Sequence, residues 1–348
     1  MITKIGVTFP EDWQYGLQEI EIFNKTAHQI EKKFFESNNL LINTTWFGSQ
    51  FQTGEWEKLQ NLFGKQKFDN LFLLGCIDPL YLTDEDLSLI TISLDIKKIY
   101  YIGMFDQSPY EWNFHAIVGE NLMPKYDNNQ VMLKQYDKDF LCYQRKPRPW
   151  RVDFTELVFK NNLQHNGIMT LGGQSQGDYD WSEGRTWEPI TLNESHEPYN
   201  NDGQNLQTNF GGIPNDLVTI GRLDIWNQCF LYISSETVFN HWEPIFVNER
   251  IWKTMIGLRP YVIQGNPKTY NWLRKNGFKT FNHYWSHINL ENSVNVLENI
   301  IHLLKFLQSK STSEKMQMYN DMIPDLVYNK LRFYEFSKEQ KYKMENIF

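Results

Sequence analysis

Apolar residues in the first part of the chain follow two spacings in turn. Short runs rich in Ile, Leu and Tyr, typical of buried strands, occur at residues 2–9, 40–44, 71–77, 99–105 and 115–118. Between the first two runs, apolar side chains repeat at the three-then-four spacing of one helix face, at Ile20, Phe23, Ala27, Ile30 and Phe34. Strands that alternate with helices predict an α/β fold with a largely parallel sheet.

The alternation starts again near residue 138, after the polar stretch 125–130. Here the pattern predicts a helix at residues 153–163 and strands at residues 140–144, 168–171, 229–234 and 260–264. From residue 291 onward the pattern is helical, and later helices are predicted to start at Ser311 and Ser337, because each is followed three residues later by Glu or Gln. We expect two Rossmann-like domains, residues 1–137 and 138–290, facing a cleft, with bracing C-terminal helices at residues 291–348.

Composition narrows the class of protein. The chain carries 34 Lys and Arg against 42 Asp and Glu, for a net charge of −8, and 16% of its 348 residues are aromatic. No run of about 18 apolar residues is present to span a bilayer, and the start lacks the features of a signal peptide. We therefore expect a cytoplasmic monomer with no membrane partner. Cys76, Cys142 and Cys229 are far apart in apolar stretches, which predicts buried free thiols.

A dense group of cations lies between a predicted strand and a predicted helix. Arg145, Lys146, Arg148 and Arg151 fall within seven residues, and the interspersed prolines favour an extended segment. The free N–H groups of the following helix, expected to begin near Asp153, would point back at these cations. This arrangement predicts a phosphate-binding segment. The alternative is a solvated basic loop.

A second charged group combines Glu236 with a segment further along the chain. If Asn248 begins a helix, Glu249 and Lys253 lie four residues apart on one face, with Arg250 beside them. One interpretation is an ion pair worth about 0.3 to 0.5 kcal/mol. The other is a carboxylate for ribose hydroxyls and cations for phosphate.

Residues 249–253, the strand at 260–265 and the segment 273–281 together resemble the donor-binding half of fucosyltransferase-like glycosyltransferases of GT-B architecture, and their relatives in tailed bacteriophages. The resemblance covers roughly residues 138–285. It implies an inverting, metal-independent transfer of a sugar from a UDP- or GDP-linked donor, with no tightly bound cofactor. If phage-encoded, the enzyme would act in the host cytoplasm.

The resemblance also implies roles for single residues. Glu249 would bind the ribose, Arg250 would take the position of a phosphate-binding Lys, residues 145–151 would contact the pyrophosphate, and Glu236 matches an acidic residue upstream of the helix. Asn248 stands where the family has Thr, and Arg250 where it has Lys. Because Arg offers a planar fork and Lys a point charge, the identity of the nucleotide stays open.

The transfer needs a base near the acceptor hydroxyl, and ligands of parallel sheets bind beyond the carboxyl ends of strands. That rule selects five carboxylates, Glu11, Asp12, Asp78, Asp106 and Glu111. Asp106 is preferred, with Asp78 and Asp12 next, because it follows an apolar strand directly and precedes an aromatic loop. For each the alternative is a turn or N-cap carboxylate. Asp178 and Asp180 are interpreted as solvated loop carboxylates, so no metal is expected.

The acceptor has two interpretations. The phage resemblance indicates hydroxymethylcytosine in double-stranded DNA, flipped out onto aromatic side chains such as Trp13, Trp46, Tyr110 and Trp112. The net charge of −8 opposes a large phosphate footprint, and a glycan acceptor is the alternative. A rival class is a non-catalytic nucleotide- or glycan-binding protein of a virion.

Overall fold

The computed structural model of the chain describes residues 1–6, 14–44, 66–76, 88, 91, 94–105, 108–123, 125–144, 146–173, 184–190, 220–221, 223–237, 239, 245–292 and 294–348. The chain divides into two compact units. Unit 1 comprises Met1–Glu120 with Ser337–Phe348, and unit 2 comprises Asn121–Phe336. Each unit contains a sheet whose paired strands are parallel, with helices between them in sequence, so the predicted α/β class is confirmed. The assignment of acceptor and donor binding to residues 1–137 and 138–290 stays a prediction.

The sheet of unit 1 has its strands side by side in the order of the sequence. They are β1 Ile2–Ile5, β2 Asn39–Asn43, β3 Asn70–Gly75, β4 Lys98–Gly103 and β5 Tyr110–Glu111. Every residue of β2 and β3 is buried, which explains why both sequences are nearly continuous apolar runs and not alternating ones.

Unit 1 also contains helices α1 Gln14–Lys33 and α2 Phe114–Leu122. The strand predicted at residues 115–118 is wrong, because this run lies inside α2. The Asn113 side-chain oxygen accepts a hydrogen bond from the Ala116 N–H at 2.8 Å, which caps the helix. A short, fully buried apolar run has no periodicity that distinguishes a strand from a helix.

The sheet of unit 2 has the order β7-β6-β8-β9. Its strands are β6 Lys138–Cys142, β7 Gly167–Met169, β8 Cys229–Ser235 and β9 Tyr261–Gln264. Each lies within about two residues of the strand that the apolar pattern predicts. Because β7 and β8 lie on opposite sides of β6, the direction of winding reverses at β6.

The helices of unit 2 lie between and after these strands. They are α3 Asn128–Val131, α4 Pro149–Lys160, α5 Leu223–Trp226, α6 Glu249–Ile256, α7 Lys268–Lys275, α8 Val296–Gln308 and the first part of α9 Thr312–Glu345, with 3-10 turns at Gln164–Asn166 and Asn282–Trp285. The start predicted near Asp153 is wrong by four residues, because α4 begins at Pro149. Proline is favoured at the first helical position, where its missing N–H has no partner to lose.

Two helix starts predicted from the sequence fall at or within α9. Ser311 is confirmed: its Oγ accepts from the Glu314 N–H at 3.2 Å, and its own N–H donates to the Glu314 carboxylate at 2.8 Å. Ser337 is wrong as a start, because α9 continues from Thr312 to Glu345. The buried Ser337 hydroxyl donates instead to the Ala116 carbonyl oxygen at 3.0 Å.

Two further expectations concern the whole chain. Cys76, Cys142 and Cys229 are buried free thiols, as predicted. Among the helices that the structure describes, none combines the length and the apolar character needed to cross a bilayer.

Candidate functional site

The carboxyl ends of β6 and β8 meet where the sheet of unit 2 reverses its winding. In open parallel sheets, such a reversal leaves a crevice beyond the strand ends, and ligands bind there. The chain continues from β6 into the basic segment and from β8 into Glu236. Topology therefore brings together the two charged groups that the sequence separates by more than 80 residues.

The basic segment forms the turn from β6 into α4. Lys146 and Arg148 are partly exposed there, and Arg148 is the N-cap residue of α4. Arg145 lies outside the described residues. Because α4 begins at Pro149, Arg151 belongs to its first turn and not to the loop.

Arg151 is only 2% exposed and holds this turn against the end of β8. Its guanidinium donates to the carbonyl oxygens of Lys146 at 2.9 Å, Ser235 at 2.9 Å and Glu236 at 3.0 Å. Burial lowers the pKa of Arg151, and the neighbouring cations Arg250 and Arg148 lower it further. With both Nη atoms on main-chain carbonyls, Arg151 positions the site more directly than it could grip a phosphate.

Glu236 immediately follows β8 and is 1% exposed. One carboxylate oxygen accepts a hydrogen bond from the Ser234 hydroxyl, and the other, Oε2, is buried without a partner among the described residues. Burial raises the pKa of Glu236 to about 7, although Arg250 and the Ser234 hydroxyl oppose the rise. This carboxyl group is therefore able to gain or lose a proton near neutral pH.

The start of α6 places three more charged residues at the same edge. Asn248 is the N-cap, and its side-chain oxygen accepts from the Arg250 N–H at 3.0 Å. Arg250 Nη1 lies 3.3 Å from Glu249 Oε1. Glu249 and Lys253 are both buried. The edge thus carries buried charges of both signs within the first turns of one helix.

Several buried polar atoms at this edge lack a hydrogen-bond partner among the described residues. Besides Glu236 Oε2, they are Tyr232 OH, Asn248 Nδ2, Gln264 Oε1 and Arg151 Nε. Most buried polar groups in folded proteins are paired, because an unpaired one costs about 1–3 kcal/mol. Together they give the surface around Glu236 several donors and acceptors that a polar ligand would pair.

An aromatic layer flanks these charges, and sequence reasoning missed it. The ring of Trp150 stacks on Phe239 with centroids 5.5 Å apart, and the Arg148 guanidinium lies 5.6 Å from the Trp150 ring. Trp150 also donates to the Glu236 carbonyl oxygen at 3.3 Å, and Gln264 donates to the Trp150 carbonyl at 3.0 Å. The sequence signal was available, since Trp150 lies within the basic segment and Gln264 ends a predicted strand.

The residues predicted to serve the acceptor belong to the part of the chain before residue 138. Asp106, Asp78 and Asp12 lie outside the described residues, as do Trp13, Trp46, Asp178 and Asp180. Trp112 is 1% exposed, so its ring is unavailable to stack on a flipped base. This part of the aromatic prediction is wrong, because Trp112 fills the core of unit 1.

No protein-family model, no curated protein and no solved structure matches this chain. Among the described residues, no group of three or more His, Cys, Asp or Glu side chains comes together as a metal site would require.

Proposed function

We propose that the protein is a glycosyltransferase that moves a sugar from a UDP- or GDP-linked donor to a hydroxyl group. The observation that supports this most is the carboxyl edge of the sheet of unit 2. There the winding reverses, and buried charges stand beside polar atoms without partners. A nucleoside diphosphate offers the anionic oxygens and ribose hydroxyls that such a surface would pair.

The donor diphosphate would lie against the starts of α4 and α6. Lys146, Arg148 and Arg250 supply positive charge there, and the helix N-termini add the positive ends of their dipoles. These donors would stabilise the charge that develops on the departing diphosphate. Glu249, whose Oε1 lies 3.3 Å from Arg250 Nη1, would accept hydrogen bonds from the ribose hydroxyls.

Glu236 fits a diphosphate site in its protonated form. Below a pKa of about 7 the carboxyl group is neutral, so it would not repel the phosphates. It would then donate a hydrogen bond to a phosphate oxygen, a role that its ionised form lacks. The acceptor base remains a separate residue in the proposal, with Asp106 preferred over Asp78 and Asp12.

The proposal includes an inverting, metal-independent reaction and the GT-B architecture that the resemblance implies. Hydroxymethylcytosine in phage DNA is the proposed acceptor, and a glycan is the alternative. Retardation of a hydroxymethylcytosine duplex at 50 and 200 mM salt separates them, because phosphate contacts make affinity fall steeply with salt. A flat salt response would favour the glycan.

The donor site is tested by incubating the protein with UDP- and GDP-sugars and measuring released nucleoside diphosphate, with UDP and GDP binding measured by calorimetry. We expect one of the two nucleotides to bind, and Glu249→Gln to weaken that binding at least tenfold. Glu298→Gln, an exposed Glu on α8, serves as the matched control. Binding without release of diphosphate would support the non-catalytic rival, and equal binding by both variants would remove the proposed site.

A further inference from the structure

A second surface of unit 2 lies away from the candidate donor site. It is a groove of about 730 Å³ between the end of α7, the segment that follows it and one face of α9. Tyr261, the first residue of β9, donates to the Lys279 carbonyl oxygen at 3.3 Å, which places the groove near the amino end of that strand. The candidate donor site lies beyond the opposite, carboxyl ends. The volume falls in the range of about 300–1,000 Å³ that small-molecule sites occupy.

The backbone at the centre of the groove is held firmly in place. The Asn329 side chain of α9 accepts from the Lys279 N–H at 2.8 Å and donates to the Lys279 carbonyl at 2.9 Å. Gly277, with φ of +85°, makes the preceding turn in a conformation that other residues rarely adopt. These two hydrogen bonds fix the backbone of Lys279 relative to α9, so its side chain extends from a Cα of defined position.

The charged side chains around the groove differ in how they are paired. Arg274 is held by Glu291 through two bonds of 2.7 and 2.8 Å, and His283 Nε2 lies 3.9 Å from Asp325. Lys279 has no ion-pair partner among the described residues, and its ammonium lies 5.4 Å from the centre of the Tyr328 ring. Lys279 is thus a lining cation held by no ion pair among the described residues, while Asp325, whose neighbour His283 is charged only when protonated, adds a carboxylate to the same wall.

The remaining groups on the groove wall suit a hydroxylated ring. Tyr328 is 44% exposed and offers an aromatic surface on which the C–H groups of a sugar can pack. The Thr280 hydroxyl, the Tyr328 hydroxyl and the Asp325 carboxylate line the same space and can exchange hydrogen bonds with hydroxyl groups. The groove wall thus presents a cation, an aromatic ring and hydroxyl-binding groups side by side.

We propose that this groove binds an acidic saccharide, a short chain of uronic-acid rings, with a carboxylate on Lys279 and a ring face against Tyr328. The site is independent of the proposed donor site. It gives the protein a second contact with carbohydrate on a surface where no transfer takes place.

The test uses titration calorimetry with the trimer of α-1,4-linked galacturonic acid. Its methyl ester has the same rings without charge, and inorganic sulfate has charge without rings. We expect the trimer to bind saturably and at least tenfold more tightly than either comparison probe. Equal binding of the ester would show that Lys279 plays no part, equal binding of sulfate would reduce the groove to a simple anion site, and no binding of the trimer at millimolar concentration would overturn the proposal.

Single substitutions test whether the trimer binds in this groove. Lys279→Gln and Tyr328→Ala should each weaken trimer binding at least fivefold, whereas Lys305→Gln, an exposed Lys on α8, should leave it unchanged. Glu249→Gln should also leave trimer binding unchanged, which separates this groove from the donor site. If Lys279→Gln bound as tightly as Lys305→Gln, the groove would not be the binding surface. Because the probe comparison uses the unaltered protein, it stands even if a variant fails to fold.

Discussion

Two groups of buried charge in unit 2, one around Asp139 and one at the carboxyl edge of the sheet, differ in how far their polar atoms are paired. At the start of β6, Asp139 is paired with Lys315 of α9 at 2.7 Å, and the Lys315 ammonium also donates to the Tyr136 hydroxyl at 2.5 Å. Asn166 donates to the second oxygen of Asp139 at 3.3 Å. At the carboxyl edge, Glu236, Asn248 and Gln264 each keep a buried polar atom without a partner among the described residues.

This contrast separates a structural use of charge from a candidate functional one. A buried ion pair is tolerated when its remaining donors and acceptors are satisfied, as they are around Asp139. Polar atoms without partners weaken the folded state, so their presence indicates another requirement. At the carboxyl edge, a ligand bound beside Glu236 would complete this hydrogen bonding.

The largest expected effect is on the satisfied pair. Lys315→Met removes the ammonium and leaves Asp139 buried and unpaired, so we expect the free energy of unfolding to fall by about 3–5 kcal/mol. Urea denaturation at pH 7 measures it, with exposed Lys305→Met as the control. The double variant Lys315→Met/Asp139→Leu should recover most of the loss, because apolar replacement of a buried pair is often neutral. A loss below about 1 kcal/mol for the single variant would contradict the structural role.

A pH titration of stability tests Glu236. Because its pKa is raised from 4.5 to about 7, the folded protein retains a proton that the unfolded chain has released between those values. Stability from this group is therefore lost as the pH rises through that interval, by about 3 kcal/mol in total.

Glu236→Gln has no such titration, so its stability relative to the unaltered protein should increase between pH 5 and pH 8. Urea denaturation at four pH values measures the difference, with exposed Glu156→Gln as the control. Parallel pH profiles for Glu236→Gln and the unaltered protein would show that the carboxyl group titrates normally.

Arg250 tests whether the carboxyl edge binds a diphosphate. Arg250→Ala should weaken binding of UDP or GDP, whichever the protein takes, by about ten- to a hundredfold, or roughly 1.4–2.7 kcal/mol. Arg274→Ala, which removes an Arg from the groove at the other end of the sheet, should leave nucleotide binding unchanged. Similar losses in both variants would mean that general charge, and not the start of α6, attracts the nucleotide.

The smallest expected effect concerns the cap of the helix that carries Lys315. Ser311→Ala removes the hydroxyl that accepts from the Glu314 N–H, and we expect a loss of about 1 kcal/mol in unfolding free energy. Thermal or urea denaturation measures it. Ser309→Ala, one position after α8, is the control, because it leaves this cap intact. An equal loss of unfolding free energy in the control would contradict the capping role of Ser311.

Local patterns predicted part of the candidate site. In the sequence Asn248 is a candidate helix start, and the structure shows its side chain capping the next turn, an interaction among neighbouring residues. The basic segment was recognised by its local density of charge. The burial of Arg151 was not predictable in this way, because it depends on carbonyl groups of Ser235 and Glu236, which lie more than 80 residues away.

The sequence by itself determined the α/β class, the approximate strand positions and the buried state of the cysteines, because each follows from apolar spacing over a few residues. Only the tertiary structure decided that residues 115–118 are helical, that α9 continues through Ser337, and that the winding of unit 2 reverses at β6. These features depend on contacts between residues far apart in the chain. For the same reason, tertiary structure alone converted the Glu236 carboxylate into a buried acid that titrates near neutral pH.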